Sequence, residues 1–188
     1  MATCINYNCA DLPTYDDTIE NCGSKVRLSG ATYIGLVECG SDIANPSSAS
    51  ELNALIAAGN MTIIANIKSG FGDPASVTQD PITSCGTAIV TNYTRSLVLK
   101  DYKVTSSNTS FWNAAKRRSF AQMVIWECET DGLDPLVSFV DAEITVDSKR
   151  VFPDSNDQAQ YYDVTFSWKS YDDPSQYDAP VGVTGVDA

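Results

Sequence analysis

Residues 136–147 read LVSFVDAEITVD, and residues 160–169 read QYYDVTFSWK. In the first stretch Leu136, Val140, Ala142, Ile144 and Val146 fall on one side, and Asp141, Glu143, Thr145 and Asp147 on the other. In the second, Tyr162, Val164, Phe166 and Trp168 point one way, and Tyr161, Asp163, Thr165 and Ser167 the other. Successive side chains of a strand point to opposite faces, so a period of two marks a half-buried strand. Two such stretches in succession predict antiparallel sheet with one face on a core and one in water. The fold class that follows is mainly β with some α. It is an antiparallel β-sandwich or barrel with one or two short flanking helices and extended N- and C-terminal arms.

Upstream, residues 119–129 form a third strand, with Phe120, Val124, Trp126 and Cys128 on one side and a turn at 130–135. Residues 95–104 form a strand without clean alternation, which predicts cover on both faces. Residues 87–92 form a short strand, and 32–39 and 61–68 two more. Residues 69–84 carry Gly70, Gly72, Pro74 and Pro81 and read as a long loop, of the kind that touches a partner. Ser48 and Glu51 match a capping box for a helix over 49–58, which Gly59 stops. Asn108 caps a second helix through Phe111 and Trp112 to Arg118, with Lys116, Arg117 and Arg118 in its last turn. The division predicted is an N-terminal arm (1–30), a β-rich core (31–170) and a C-terminal arm (171–188).

The chain has 188 residues and a net charge of −12, with no histidine. Negative charge disfavours a nucleic-acid grip, because phosphates repel it at long range. Lack of histidine removes the commonest general base and metal ligand. No P-loop, G-x-G-x-x-G or G-x-S-x-G motif occurs. Asp141 and Glu143 sit two apart on one strand face, and a hydrated face is the simpler reading than a glycosidase pair. Cys4, Cys9 and Cys22 crowd the N-terminal arm, but no C-x-x-C pair accompanies them. Asp16, Asp17 and Glu20 have the carboxylates to hold a divalent cation, but a solvated cluster is the simpler reading, and the turn Asp154 to Asp157 lacks the glycine and distal glutamate of a calcium loop. The expectation is no enzyme, no cofactor and no metal. No apolar run is long enough for a membrane span. The first residues lack the basic and apolar regions of a signal peptide, which leads us to expect folding in a cytoplasm with reduced thiols.

Residues 85–180 resemble virion structural proteins of tailed bacteriophages, most of all tail tube subunits. The resemblance rests on the strand around Leu97 to Tyr102 and the helix start Phe111-Trp112-Asn113. It rests also on the acid-faced strand Glu143 to Asp147, the stretch VTFSW at 164–168, and the trailing residues Tyr177 to Pro180. It covers about half the chain. It implies a small β-sandwich or barrel with a flanking helix, assembled as stacked, usually hexameric rings whose sheets join into one barrel. Loops and terminal arms would reach neighbouring rings, and DNA would slide through an acidic lumen without specific binding. On this reading Asp141, Glu143, Asp147 and Asp163 face the lumen. Tyr171, Tyr177, Pro180 and Val181 belong to an arm between subunits. The partners implied are copies of the chain and other virion proteins, in a particle assembled in a bacterial cytoplasm, with no membrane. The alternatives are a head decoration or auxiliary capsid protein, and a soluble binding module or enzyme of bacterial origin. A ring around a channel, a unit on an icosahedral shell and a stable monomer distinguish the three.

Overall fold

The computed structural model describes residues 31–65, 68–79, 89–127, 135–153 and 159–186. Along the chain lie β1 (Ala31–Glu38), α1 (Ala49–Ala57), β2 (Met61–Ala65), β3 (Lys68–Gln79), β4 (Ile89–Asp101), α2 (Ser106–Ala115), β5 (Ser119–Glu127), β6 (Leu136–Val140), β7 (Ile144–Val151), β8 (Tyr161–Ser170) and β9 (Ser175–Asp178). Among the described residues every strand pairing is antiparallel. The main path runs β2-β1-β5-β7-β8-β4-β3, and β6 and β9 branch from β5. The fold is therefore mainly β and antiparallel, with two short helices.

Two apolar cores explain the layering. The first takes Ile34 and Leu36 from β1, Met123 and Ile125 from β5, Leu97 and Leu99 from β4, and Val164, Phe166 and Trp168 from β8, with Trp112 of α2 at one end. The second lies on the other side of β1 and β5. It holds Leu52 of α1, Met61 of β2, Val124 and Trp126 of β5, Val137 and Phe139 of β6, and Val183 and Val186 near the C-terminus. So β1 and β5 form a middle layer, between the β7-β8-β4 sheet and a cover made of α1 and the C-terminal segment. Removing a side chain of this size from water contributes about 1.5–3 kcal/mol.

Bulges steer the strands between layers. Phe120 pairs with Ile144 and Met123 with Val140, so the β6–β7 run carries one residue more than β5 opposite it. Residues 136–147 are thus not one continuous strand, because the chain breaks at 141–143, where it passes from β6, paired with β5's second half, to β7, paired mainly with β8. The apolar sequence of the stretch still serves, since Val140, Ala142, Ile144 and Val146 all reach the first core. Likewise a register shift between Val37 and Glu38 puts Phe120 in the first core while Val124 and Trp126 enter the second. The common side expected for these three residues is corrected. Cys128 lies outside the described residues.

Other expectations shift for local reasons. Residues 68–79 are strand β3 rather than loop, because β4 offers a pairing edge along their whole length. Pro74, which has no N–H to donate, sits where the register slips between Gly72 and Ala75. The two short strands upstream of residue 104 are one strand, β4. Only one of its faces is covered around Leu97 and Leu99, since Val98 and Lys100 are exposed. Ser48 does cap α1, accepting from Glu51 N, but the Glu51 carboxylate accepts from Ala44 N and Asn45 N instead of Ser48 N. Thr105, not Asn108, caps α2, and Lys116 already lies at the helix's end. Asn108 instead donates from Nδ2 to Lys103 O.

Candidate functional site

Four places carry the residues that bear on function: the solvent face of β7, β8 and β4, the C-terminal segment, the β3–β4 hairpin, and the end of β4 beside α2.

On the solvent face, register decides which charges meet. Asp163 pairs with Lys149 on one side and Lys100 on the other. Asp147 lies opposite Thr165. Glu143 lines a shallow depression of about 370 Å³ with Thr94, Thr145, Ser167 and Lys169. Glu143, Asp147 and Asp163 therefore share one face with three lysines, and their charge is offset there. The acid-faced strand expected from β7 alone becomes a charge-balanced sheet face, because the lysines come from adjacent strands or from beyond residue 147. Asp141 does not join the other three. It sits in the kink between β6 and β7 and accepts from Gln122 Nε2 at 2.9 Å. Gln122, buried, also donates to Asp42 Oδ1 at 2.5 Å and accepts from Ile43 N at 2.7 Å, which ties the loop after β1 to the kink.

The C-terminal arm expected to reach a neighbour is corrected over much of its length. Residues 175–178 form β9 on β6, and Val183 and Val186 are buried in the second core. Pro180 is buried as well, and the Tyr177 ring meets Phe139 edge-on at 6.2 Å. The reason is apolar: Val137 and Phe139 need a cover, and this segment supplies it. Arg95 anchors the segment's start, donating from Nη2 to Tyr171 O at 3.1 Å and pairing through Nη1 with Asp173. Tyr171 and Val181 remain exposed, at 62% and 79%. The predicted N-terminal arm, with Cys4, Cys9 and Cys22, lies outside the described residues, as do Cys85 and the turn at 154–157. Cys39 is an exposed free thiol.

The β3–β4 hairpin outruns the sheet. The β8 pairing stops at Tyr93 opposite Ser170, while β3 and β4 continue pairing through Val77–Asn92, Thr78–Val90 and Gln79–Ile89. Four residues of β4 thus project roughly 13 Å as a two-stranded ribbon. The path of paired strands also ends at β3, whose other edge carries no strand among the described residues.

At the α2 end, a cavity of about 330 Å³ opens beside Asp101, the last residue of β4. Ile64, Lys103, Ser107, Phe111 and Trp112 are among its lining residues. Asp101 is only 6% exposed. Its Oδ2 accepts from Trp112 Nε1 and its Oδ1 from Lys103 N, each at 2.8 Å. No feature of the sequence marks Asp101 or Gln122, since each is a single polar residue in a strand and is buried only by tertiary packing. Among the described residues no three or more His, Cys, Asp or Glu are grouped to hold a metal ion, and no helix is long and apolar enough to cross a membrane.

In comparisons with known proteins, no protein family, curated protein or solved structure matches the chain.

Proposed function

We propose that the chain is a self-assembling structural subunit of a phage virion, a tail tube protein whose rings stack around a channel for DNA. The observation that carries this reading is the β3–β4 ribbon and the β3 edge beside it, which carries no strand among the described residues. A bare two-stranded ribbon is marginal in water, and a long free edge invites another strand. A neighbouring copy can satisfy both by joining its sheet to this one, which is how rings with a continuous barrel form. The resemblance of residues 85–180 to tail tube subunits favours the same assembly.

The channel lining on this reading is the solvent face of β7, β8 and β4, with Glu143, Asp147 and Asp163. Its charges are offset by lysines, so the face lets DNA pass through lack of net positive charge rather than through strong repulsion. Asp141 stays with Gln122 and does not line the channel. Contacts between rings fall to residues such as Tyr171 and Val181, which the docked C-terminal segment leaves exposed.

The test is electron microscopy of concentrated protein beside a variant in which residues 77–92 are replaced by Asn-Gly, a two-residue hairpin turn. Rings or tubes from the parent chain and folded monomers from the variant are expected. A parent chain that stays monomeric at high concentration overturns the proposal, as does its placement on an icosahedral shell. In tubes, Glu143→Lys with Asp147→Lys should make the lining basic and retain DNA with a steep salt dependence. Unchanged DNA passage overturns the channel assignment.

A further inference from the structure

Asp101 is a buried carboxylate whose hydrogen-bond partners among the described residues are neutral donors. The indole N–H of Trp112 and the backbone N–H of Lys103 occupy two of its acceptor positions, and an ionised carboxylate has about four. Neither of the ion pairs formed among the described residues involves it, since these are Arg95–Asp173 and Arg118–Glu38. Buried charges are normally paired, because removing one from water is costly without a counter-charge. Its carboxylate lines a cavity, and among the described residues no side-chain ion pair neutralises it.

We propose that this cavity is a binding site for a monocationic group on an apolar stem, a guanidinium or primary ammonium. Its size, about 330 Å³, lies at the lower end of the range for small-ligand sites. Asp101, among its lining residues, supplies the counter-charge. Phe111 and Trp112, whose rings meet edge to face at 4.9 Å, and Ile64 give an apolar wall that suits a methylene stem and attracts a cation. Lys103, exposed among the lining residues, opposes any cation there, a divalent ion about twice as strongly as a monocation. Such a head group can arrive free in solution or on an arginine or lysine of a second copy. The site stands apart from the β3–β4 ribbon, so its failure and that of the tube reading are separable.

The experiment is an NMR titration of the full chain, following the Trp112 indole N–H, with ethylguanidinium chloride, with the neutral isostere ethylurea, and with sodium chloride at matched ionic strength. A saturable shift is expected with ethylguanidinium and not with the other two. Asp101→Asn should weaken that binding at least about tenfold. Because that change could unsettle the fold, Ser107→Phe, at an exposed position on the rim, serves as a second variant and should block the response in a folded protein. Dilution separates the two sources. An indole signal that moves on dilution, and is displaced by ethylguanidinium, identifies a side chain of another copy, while a concentration-independent signal identifies a free ligand. The proposal is overturned by an equal response to ethylurea or salt, by no saturable response, or by full binding in either folded variant.

Discussion

The Asn53 carboxamide on α1 accepts a 2.7 Å hydrogen bond from the backbone N–H of Thr184, 131 positions later in the chain. The same side chain donates to Gly182 O at 3.0 Å, so one residue holds both ends of a short turn. Gly182 has φ of +82°, a backbone conformation that glycine adopts without a Cβ penalty. This clasp sets the last residues of the tail over the second core. Asn53→Ala should lower stability by about 1 kcal/mol, because the freed backbone groups reach water. Hydrogen exchange should rise first in residues 175–186, and uniform exchange across the chain instead would show that the clasp is not local.

The buried valines of the tail should matter far more than its exposed one. Val183→Ala with Val186→Ala removes two methyl pairs from the second core and should cost about 3 kcal/mol. Val181→Ala, at a position 79% exposed, should change stability little. Urea denaturation of the three chains checks the contrast, and similar midpoints would show that the tail contributes nothing to the core.

At Gly35 it is packing rather than backbone angle that disfavours a side chain. A Cβ there would run into Met61 Cε and come within 3.3 Å of Ile63 Cδ1 and Trp126 Cζ3. Gly35→Ala should therefore cost about 1–3 kcal/mol from overpacking. Met61→Ala in the same chain should return part of that loss, since it removes the nearest obstacle. A double-mutant cycle by thermal denaturation measures the coupling, and strict additivity would exclude the Met61 contact as the cause.

Gln122 works as a neutral connector between two acids. Gln122→Glu replaces the donor shared by Asp42 and Asp141 with a third carboxylate, and should destabilise by about 2–3 kcal/mol through lost hydrogen bonds and like-charge repulsion. Gln122→Glu with Asp141→Asn should recover part of it, because a carboxamide donor is restored opposite the new acid. Chemical denaturation of the two variants at neutral pH provides the check.

Much of the fold was legible because it depends on short-range periodicity. The alternation of Tyr162, Val164, Phe166 and Trp168 became β8 with all four buried, and Ser48 capped α1 as its position implied. What was missed depends on partners distant in sequence. Gly70, Gly72 and Pro74 look like loop residues, yet β4 pairs the whole segment into β3. The acids of the candidate channel face were visible one strand at a time, but not the lysines that register sets beside Asp163. Asp101 was invisible as a site residue, since its burial follows from where Trp112 lands.

By itself the sequence determined most of the elements: β-strands where apolar and polar residues alternate, and two short helices. Only the tertiary structure decided which faces those strands share, that the tail closes its own domain, and that Asp101 looks into a cavity. The physical reason is range. Alternation and capping act over two to four residues, whereas register, bulges and core closure are set by contacts between residues far apart in the chain, where packing and charge pairing select one arrangement.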